Sequence, residues 1–497
     1  MTDEFTDLVP PDMKNAIEEA VSAIQTAKNP IAFSHIDADG ITAISIVIQM
    51  LERIGKKPIW RNLHQLNSET ILTVEELIDE NQPDVVIFSD FGTGQRRLIE
   101  EFITSKLSIK HIVILDHHLP PENADSYHSD NYEKIIEINP CLFGLSGSYD
   151  ISGAGVSFLL AFYVSQDNAD LSELAIVGAT GDLQHYYGRG FVGLNNAIIK
   201  LAEEQNVISV DRDLTFFGIN TRPLPLLLEY ATDPFIPGLT GNREACYSFF
   251  EELEIELKID EDTWKTWVDL EPEEKQQVTQ KLFQYILEVY DDPLIAQGII
   301  GDVITLNNRP PRTDLRSAKE FSTLLNACGR NRRPDIGVMV CLGDEDSITR
   351  GMTLLHQHRA NLAGAMRRLE EDGYNETASI YIVNDPQTPD TIIGIVIGMA
   401  QGAHIIPIDK PVIGVSTNTS DDSPMVKISG RARKSLVKRG VNLKEAFSSV
   451  AEALNNNSDE LIAEAGGHPM AAGAFVRREY LDQFLDFVST AIEKQIQ

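Results

Sequence analysis

The sequence has few cysteines, and no two of them stand at short spacing. Cys141, Cys246, Cys328 and Cys341 are scattered through 497 residues without a CxxC element. This scatter argues against a disulfide framework and against a cysteine-based structural zinc site. We therefore expect a protein of a reducing compartment, the cytoplasm.

Long apolar runs are also missing. No stretch of about 18 apolar residues occurs, so the sequence predicts no membrane-spanning helix and no membrane partner. The first residues, MTDEFTDLVPPDM, contain neither the basic nor the apolar segment of a secretory signal. With 42% hydrophobic and 24% charged residues, the composition is that of a globular protein, and the length suggests about two to four domains.

Positive charge is scarce, with 42 Lys and Arg against 75 Asp and Glu and a formal net charge of −33. Taken alone, this balance argues against a general nucleic-acid binder, whose surface is usually basic. Two basic runs nevertheless occur, KISGRARKSLVKRG at 427–440 and RNRRP at 330–334. Each run is either a solvated face or the wall of a positively charged groove on an acidic body.

Strand-like and helix-like segments alternate through the first 200 or so residues. The apolar runs PIAFSHI, VVIFSD and HIVILD predict strands that are buried on both faces, and segments such as ITAISIVIQMLERIG predict helices between them. This alternation is typical of an α/β fold with a doubly wound parallel sheet. In such a sheet, ligands bind at the carboxyl ends of the strands.

Two further regions follow the alternating one. Residues 205–330 contain mostly helical patterns, among them NREACYSFFEELEIEL, EDTWKTWVDL and EPEEKQQVTQKLFQYILEVY. Strand patterns return in ASIYIVND, KPVIGVSTN and PMVKISGRA. We therefore predict three domains: an α/β domain at 1–204, a helical insertion and linker at 205–330, and a smaller α/β domain at 331–497.

Ionisable side chains follow the predicted strands of the first domain. In SHIDADG, His35, Asp37 and Asp39 occupy alternate positions, so an extended chain would project all three to one side. The other ionisable residues at predicted strand or loop ends are Asp90, Asp116, His117, His118 and Asp182. In a parallel sheet these side chains would converge on one edge.

Converging carboxylates repel one another unless cations lie between them. Two divalent metal ions held by carboxylate and imidazole ligands would remove that repulsion, and an oxygen-rich set favours Mn²⁺ or Mg²⁺ over Zn²⁺. A single Asp at a strand end is more often a helix cap or a turn residue, and a single His is more often a surface or core residue. HxDxDG, a strand-ending Asp, DHH and GATGD in this order are far more specific together.

These motifs resemble those of the DHH phosphoesterase superfamily. HIDADG at 35–40, DHH at 116–118 and GATGD at 178–182 carry the resemblance, and ISGAGVSF at 151–158 is similar to its RecJ branch. The resemblance implies that residues 1–204 form a DHH catalytic domain.

The second half of the chain resembles the companion parts of RecJ-type exonucleases. LLNACGR at 324–330 is similar to one of their motifs, and SGRAR at 429–433 with GGHPMAAGAF at 466–475 resembles a DHHA1 substrate-binding domain. The pattern is most similar to archaeal RecJ-like proteins, including the GINS-associated nuclease, which also resemble a subunit of the eukaryotic replicative helicase. The resemblance implies an exonuclease with single-stranded nucleic acid as substrate and a GINS or replicative helicase complex as partner.

The resemblance also implies the metal ligands. Asp37 would bind one metal ion and Asp39 the other. Asp90 would bridge the two ions, and His117 with Asp182 would complete the second site. The cofactors would be two divalent ions, Mn²⁺ or Mg²⁺.

One position departs from the wider superfamily pattern. Many DHH enzymes carry a metal-binding histidine four residues before the first motif aspartate, where this sequence has Phe33. Either His35 takes that place or the first metal ion is held more weakly. Asp116 would orient the neighbouring histidines, and His118 would contact phosphate.

The substrate-binding residues implied by the resemblance lie in both halves. Arg431 and Arg433 are two apart on a predicted strand, so both should face one side and hold phosphates. The full set is His118, Asn326, Arg330, Arg431, Arg433, Gly466, Gly467 and His468.

Three functions follow from this sequence. The leading one is a two-metal exonuclease that removes nucleotides from single-stranded DNA, RNA or both, in replication or repair. The first alternative is a replisome scaffold, which would have the same fold but little activity. The second is a phosphodiesterase that would carry out the same reaction on short oligonucleotides. The clustered acids favour an enzyme, because a scaffold has no physical reason to retain them.

Overall fold

The computed structural model describes residues 6–121, 134–185, 190–231, 234–290, 293–417, 424–456, 458 and 460–496. The chain divides into two compact units, one comprising Met1–Tyr230 and Pro237–Leu355 and the other Ala231–Ile236 and His356–Gln497. The predicted domain boundaries at 204 and 330 stay a prediction about domain organisation. No helix in the described ranges has both the length and the apolar composition needed to cross a membrane.

The first unit is built on a five-stranded sheet. Its strands are β1 (Pro30–His35), β2 (Ile59–Leu63), β3 (Val85–Ser89), β4 (His111–Leu115) and β5 (Ile135–Ile138). They lie in the order β2-β1-β3-β4-β5, and every neighbouring pair is parallel. Successive residues of a strand enter opposite cores, as Ile87 and Phe88 do on β3. The predicted doubly wound α/β fold is confirmed.

Helices cover both faces of this sheet. The helices of the first unit are α1 (Pro11–Thr26), α2 (Ala38–Arg53), α3 (Thr70–Asn81), α4 (Arg96–Phe102), α5 (Gly153–Val164), α6 (Ser172–Gly181), α7 (Gly193–Glu204), α8 (Leu224–Glu229), α9 (Arg243–Glu251), α10 (Pro272–Tyr290), α11 (Pro293–Gln297), α12 (Ala318–Arg330) and α13 (Pro334–Cys341). Apolar residues of α3 and α4 form the core on one face. Residues of α1, α2, α5, α6, α7, α12 and α13 form the core on the other.

The segment between α7 and α12 is less helical than its sequence suggests. β6 (Ile208–Leu214) and β7 (Ile300–Leu306) pair as a two-stranded antiparallel sheet. The predicted helices in NREACYSFFEELEIEL and EPEEKQQVTQKLFQYILEVY are confirmed by α9 and α10, but the helix predicted in EDTWKTWVDL is wrong. Trp264 instead pairs with Lys258 in an antiparallel bridge, and the N–H of Lys265 donates to the carbonyl oxygen of Leu257 at 2.9 Å, so these backbone groups are not used in a helix. The short 3₁₀ turn Trp267–Asp269 follows, with Trp267 fully buried and its indole N–H donating to Asp213 Oδ1 at 2.8 Å.

The second unit contains a six-stranded mixed sheet. Its strands are β8 (Asn375–Glu376), β9 (Tyr381–Asn384), β10 (Val412–Ser416), β11 (Met425–Arg431), β12 (Ala463–His468) and β13 (Ala471–Arg477), in the order β12-β13-β11-β10-β9-β8. Only β9 and β10 are parallel neighbours. The helices are α14 (Glu345–Asp372), which begins in the first unit, α15 (Ile393–Gly402), α16 (Lys434–Lys438), α17 (Leu443–Asn455) and α18 (Leu481–Ile496). The predicted second α/β region is therefore present.

Helix α12 lies against the loop that joins β1 to α2. The amide oxygen of Asn326 accepts a hydrogen bond from the backbone N–H of Ala38 at 3.0 Å. A Cβ on Gly329 would lie 2.0 Å from the carbonyl oxygen of Ile36, so only glycine lets the helix come this close. The LLNACGR segment thus supports the loop that carries Asp37.

We expect Gly329→Ala to lower the melting temperature. Alanine is the better helix former by about 1 kcal/mol, but its Cβ would push α12 away from Ile36. Gly398→Ala is the matched control, because Gly398 also lies within a helix and has open space at its Cβ position. The control should gain up to about 1 kcal/mol of stability. Thermal unfolding followed by circular dichroism compares the two variants, and a stabilised Gly329→Ala protein would contradict the close approach.

Candidate metal centre

The carboxyl ends of β1, β3 and β4 bring the predicted metal ligands together. These strands are neighbours in the sheet, and the chain leaves each of them at the same edge. Three groups of side chains have ligand atoms that all lie within 4.8 Å of one another. The groups are His35, Asp37 and Asp90; Asp39, His117 and Asp182; and Asp90, His117 and His118.

Asp37 and Asp39 reach this edge by a different route from the one predicted. β1 ends at His35, so the premise of an extended chain from residue 35 to residue 39 is wrong. Asp37 is the N-cap of α2, where its Oδ1 accepts the backbone N–H of Gly40 at 3.0 Å, and Asp39 lies in the first helical turn. The capping interaction starts the helix at this point and turns both carboxylates toward the site.

The carboxylate of Asp39 is held by the start of another helix. Its Oδ2 accepts the backbone N–H of Gly153 at 2.7 Å, and its Oδ1 accepts that of Ala154 at 3.0 Å. These are the first residues of α5, whose N-terminus favours a negative charge. A Cβ on Gly178 of α6 would lie 2.5 Å from Asp39 Oδ1, so glycine is required where α6 packs against this carboxylate.

Asp90 lies between the first two groups. It is 2% exposed and has a left-handed backbone with φ of 62°. Its Oδ1 is 3.3 Å from His117 Nε2, and its Oδ2 is 3.7 Å from His35 Nδ1. Burial, together with the charges of Asp37 and Asp39, raises the pKa of Asp90 well above its usual value. Among the described residues, nothing donates a hydrogen bond to the buried Oδ2.

His117 presents one ring nitrogen to the carboxylates. Its Nδ1 lies 2.6 Å from the carbonyl oxygen of Gly147, which can only accept, so Nδ1 carries the proton. Nε2 faces Asp39 at 3.6 Å and Asp182 at 3.8 Å, as well as Asp90. Burial disfavours the charged ring, but Asp182 and Asp39 outweigh it and raise the pKa of His117 to about 9.

Asp182 lies at the end of a helix rather than at a strand or loop end. It directly follows α6, whose residues Ser172–Thr180 are all buried. A short, continuously apolar run does not distinguish a buried helix from a strand, which explains the difference from the prediction. Burial raises the pKa of Asp182 to about 6, and the charge of His117 opposes that rise.

Asp116 orients the two histidines that follow it. Its Oδ1 accepts the backbone N–H groups of His117 at 2.7 Å and His118 at 3.1 Å, and its Oδ2 accepts that of Thr93 at 2.9 Å. His118 Nδ1 also lies 2.8 Å from Asp116 Oδ1. Partial burial opposes the charge on His118, but Asp116 raises its pKa to about 9, so this half-exposed ring is a cation at neutral pH.

His35 lies at the site, whereas Phe33 does not. Phe33 is fully buried and stacks on Phe88 with ring centroids 5.6 Å apart. His35 Nδ1 lies 2.9 Å from Asp37 Oδ2. Partial burial opposes ionisation, but His35 and, more weakly, Arg330 lower the pKa of Asp37 below its usual value. Of the two alternatives for the missing histidine, this geometry favours His35 as the ligand.

In the second unit, the predicted substrate residues lie on or beside one sheet. Arg431 is the last residue of β11 and is directly opposite Ala471, which is in turn opposite His468 on β12. Residues directly opposite one another share a face, so Arg431 and His468 lie in one row. Gly466 and Gly467 precede His468 on the same exposed strand.

Arg433 lies beyond the strand, so the premise that it shares a strand with Arg431 is wrong. It is the N-cap of α16. Cβ atoms on Gly394 and Gly402 would lie 2.8 Å from Arg431 Nη2 and 3.9 Å from Arg433 Nη2, respectively. The two guanidinium groups therefore flank opposite ends of α15.

Sequence reasoning missed Thr93 and Gln184. Thr93 holds Asp116, and Gln184 is fully buried and donates to Asp182 Oδ2 at 2.9 Å. The glycine turn FGTG after Asp90 was the only sequence signal for Thr93. Gln184 stands two residues after a motif aspartate, and nothing in the sequence distinguishes it from a surface glutamine.

The donor set fits divalent cations. It combines four carboxylates with His35 and His117, and Asp90 Oδ2 is a buried acceptor that no described donor satisfies. Such an oxygen is costly in a low-dielectric site unless a cation compensates it. His35, Asp37 and Asp90 would hold one ion, and Asp39, His117, Asp182 and Asp90 the other.

We expect Asp90→Asn to raise the melting temperature of the metal-free protein and to abolish its stabilisation by Mn²⁺. The raised pKa of Asp90 means that the folded protein loses stability as pH rises above about 4, the usual value of a free aspartate. Asparagine carries no charge and tolerates a left-handed backbone. The advantage over the parent should therefore grow in EDTA as pH rises above about 4, and it should level off once Asp90 is ionised in the folded protein as well.

Differential scanning fluorimetry in EDTA and in millimolar Mn²⁺ measures both effects. The matched control is Asp84→Asn, a carboxylate outside the site that accepts N–H groups of Lys28 and Asn29. This control should lose stability and keep the Mn²⁺ shift. A Mn²⁺ shift retained by Asp90→Asn would contradict a shared ligand.

Three family models match the sequence. The model of the DHH family, N-terminal domain, matches residues 31–181, the DHH-CID domain matches 216–291, and the DHHA1 domain matches 379–494. An uncharacterized protein of Methanocaldococcus jannaschii is 30% identical over 467 residues, which are 93% of this chain and 93% of that protein.

Solved structures share the fold. RecJ of Thermus thermophilus in complex with Mn²⁺ has a TM-score of 0.57 and 16% identity over 98% of this chain, which spans only 55% of that RecJ chain. An exonuclease RecJ bound to manganese has a TM-score of 0.55, with 16% identity and coverage of 98% of this chain and 96% of that one. CDC45 from Entamoeba histolytica has a TM-score of 0.62, with 12% identity and coverage of 96% and 99%.

At these identities the structural likeness establishes the fold, and the family models with the full-length relative establish the family. The expected DHH and DHHA1 regions are confirmed, and the DHH-CID match falls within the segment predicted as an insertion. The chain belongs to the DHH phosphoesterase superfamily and has a RecJ-like architecture.

Proposed function

We propose that this protein is a two-metal exonuclease that hydrolyses phosphodiester bonds of single-stranded DNA or RNA from an end, in replication or repair. The observation that carries the proposal is the position of Asp90. It belongs to one group of ligand atoms with His35 and Asp37, and its Oδ1 lies 3.3 Å from Nε2 of His117, which belongs to the group with Asp39 and Asp182. One carboxylate between two sets of ligands is the arrangement expected for a pair of cations acting on a single phosphate.

Different residues of this chain have different roles in the proposed hydrolysis. Bound divalent ions would supply a water of lowered pKa and positive charge for the leaving oxygen. Asp116 accepts the backbone N–H of His117, and it keeps the ring of His118 charged. His118 is half-exposed, so it is available to a phosphate oxygen. The charge of Arg330, which acts on both Asp37 and His35, adds positive charge beside the first group of ligand atoms.

The second unit offers a surface suited to the backbone of a strand. The row from Arg431 to His468 crosses three strands, and with strands about 4.8 Å apart it spans about 10 Å. Lys427 lies on the same face of β11 and stacks over the ring of Phe475 at 4.2 Å.

One observation favours a polymer over a short oligonucleotide. The basic run at 427–440 provides more cationic groups than one phosphodiester needs. The scaffold alternative is based on the structural similarity to CDC45, which is a similarity of fold. The cluster of carboxylates favours hydrolysis, because it destabilises a protein that binds no cation.

Digestion of end-labelled strands tests the proposal. Single-stranded DNA and RNA carrying a 5′ or a 3′ label would be incubated with Mn²⁺ beside a dinucleotide, using Asp90→Asn as the inactive control. Stepwise loss of nucleotides from a long strand supports the exonuclease. Cleavage of the dinucleotide alone supports the short-substrate alternative, and no cleavage of either supports the scaffold.

We expect Arg431→Ala to weaken binding of long single strands without slowing hydrolysis of a small diester. A contact with a phosphate other than the reacting one contributes to binding rather than to the transition state. A plot of the logarithm of the binding constant against the logarithm of the salt concentration should have a slope shallower by about 0.7, because one phosphate contact is lost. Fluorescence anisotropy at several salt concentrations measures the slope, and bis-p-nitrophenyl phosphate reports the chemistry.

Arg478→Ala is the charge-matched control, since Arg478 is exposed on the same unit and follows the end of β13. It should change neither the slope nor the small-substrate rate. Equal loss of both activities in Arg431→Ala, without unfolding, would place this arginine in the catalytic centre. An unchanged salt slope would remove it from the strand-binding surface.

A further inference from the structure

Gln184 lies behind the second group of metal-ligand atoms and has a fully satisfied side chain. Its amide nitrogen donates to Asp182 Oδ2 at 2.9 Å and to the carbonyl oxygen of Gly147 at 2.8 Å. Its amide oxygen accepts from Asn195 Nδ2 at 2.6 Å. A primary amide has two N–H groups, so these short contacts use both of them.

The surroundings fix which end of this amide faces the metal site. Asn195 Nδ2 also donates to the carbonyl oxygen of Tyr149 at 3.3 Å, which holds its donor end toward Gln184. A flipped Gln184 amide would place its oxygen against Gly147 O and Asp182 Oδ2, and three acceptors would then face one another. Of the two orientations of the Gln184 amide, only the observed one avoids placing two buried acceptor atoms against each other.

Gly147 connects the same amide to the histidine ligand. Its carbonyl oxygen accepts both the His117 Nδ1–H at 2.6 Å and the Gln184 amide. A Cβ on Gly147 would lie 1.7 Å from the carbonyl oxygen of His117, so glycine is required where these two backbone segments pack together. One glutamine thus fixes Asp182 directly and His117 through Gly147.

The backbone is turned to put Gln184 in this position. Leu183, two residues beyond the end of α6, has a left-handed conformation at φ of 56°, and the N–H of Gln184 donates to the carbonyl oxygen of Ala179 at 3.0 Å. Glycine is the usual residue in this place, because a left-handed conformation is unfavourable for other L-residues. Strain of this kind persists where the surrounding structure requires it.

We propose that Gln184 is the positioning residue that sets Asp182 and His117 at the spacing a divalent cation needs; this rests on the proposed metal-dependent function. A neutral donor suits this task. Lysine or arginine would hold Asp182 equally well but would offset the negative charge that attracts the cation. An amide fixes the carboxylate and leaves that charge intact, as in other metal centres where ligands are oriented by a second layer of hydrogen bonds.

Replacing Gln184 by methionine tests the proposal with little change of volume. Calorimetric titration with Mn²⁺ should show one class of site weakened about 10–100-fold, the usual effect of losing such a partner. Hydrolysis at saturating Mn²⁺ should recover most of the parent kcat, because the ligands themselves remain. The melting temperature in EDTA reports any purely structural effect.

Gln401→Met is the matched control. Gln401 is a buried glutamine of the second unit whose amide nitrogen donates to the carbonyl oxygens of Pro407 at 3.2 Å and Lys410 at 3.0 Å. This variant loses a similar pair of hydrogen bonds and should bind Mn²⁺ as the parent does. Unchanged Mn²⁺ affinity in a folded Gln184→Met protein would overturn the proposal.

Asn195→Asp provides an independent test that alters no ligand and no residue in contact with one. A carboxylate at residue 195 cannot donate to Gln184 and favours the flipped amide, so Mn²⁺ affinity should fall here too. This variant decides the matter if Gln184→Met does not fold. Parent protein that binds no Mn²⁺ would contradict the proposed function, whereas parent and variants that bind it equally would contradict the role of Gln184 alone.

Discussion

The repulsion among buried carboxylates at the end of the parallel sheet is the constraint on which the rest of the site depends. Asp39 is balanced by the first N–H groups of α5, and Asp37 by His35 and the start of α2. Asp90 lies between them with one oxygen that receives no hydrogen bond from the described residues. Such a cluster is unfavourable by itself and becomes favourable with cations, so it links folding stability to metal binding.

The fold meets this constraint by bringing several chain segments to one place. Neighbouring strands β1, β3 and β4 deliver the acids and imidazoles from one edge, and α5 and α6 close over them. Close approach depends on small residues, since a Cβ on Gly153 would lie 2.8 Å from Asp90 Oδ1. The hydrogen bonds of Asp116 and Gln184 then orient the ligands. The geometry of the centre is therefore set by backbone packing as much as by its side chains.

Much of this arrangement could be predicted from the sequence. Continuous apolar runs ending in Asp identified the parallel strands, because strands buried on both faces have that pattern. Since the carboxyl ends of parallel strands lie at one edge of a sheet, the sequence also predicted that these Asp side chains converge. The path of the backbone at the ligand residues could not be predicted in the same way. The turn at Asp37 depends on a local cap, and the position of Asp182 depends on a short apolar helix that resembles a strand. Trp267 and Gln184 depend on tertiary hydrogen bonds, which leave no periodic signal.

The central claim is that two cations share Asp90, and anomalous diffraction at the manganese edge from crystals grown in Mn²⁺ tests it most directly. The account predicts two peaks about 3.5–4 Å apart, one beside His35 and Asp37 and the other beside Asp39, His117 and Asp182, each within coordinating distance of an Asp90 oxygen. A single peak, or two peaks that do not both contact Asp90, would contradict it.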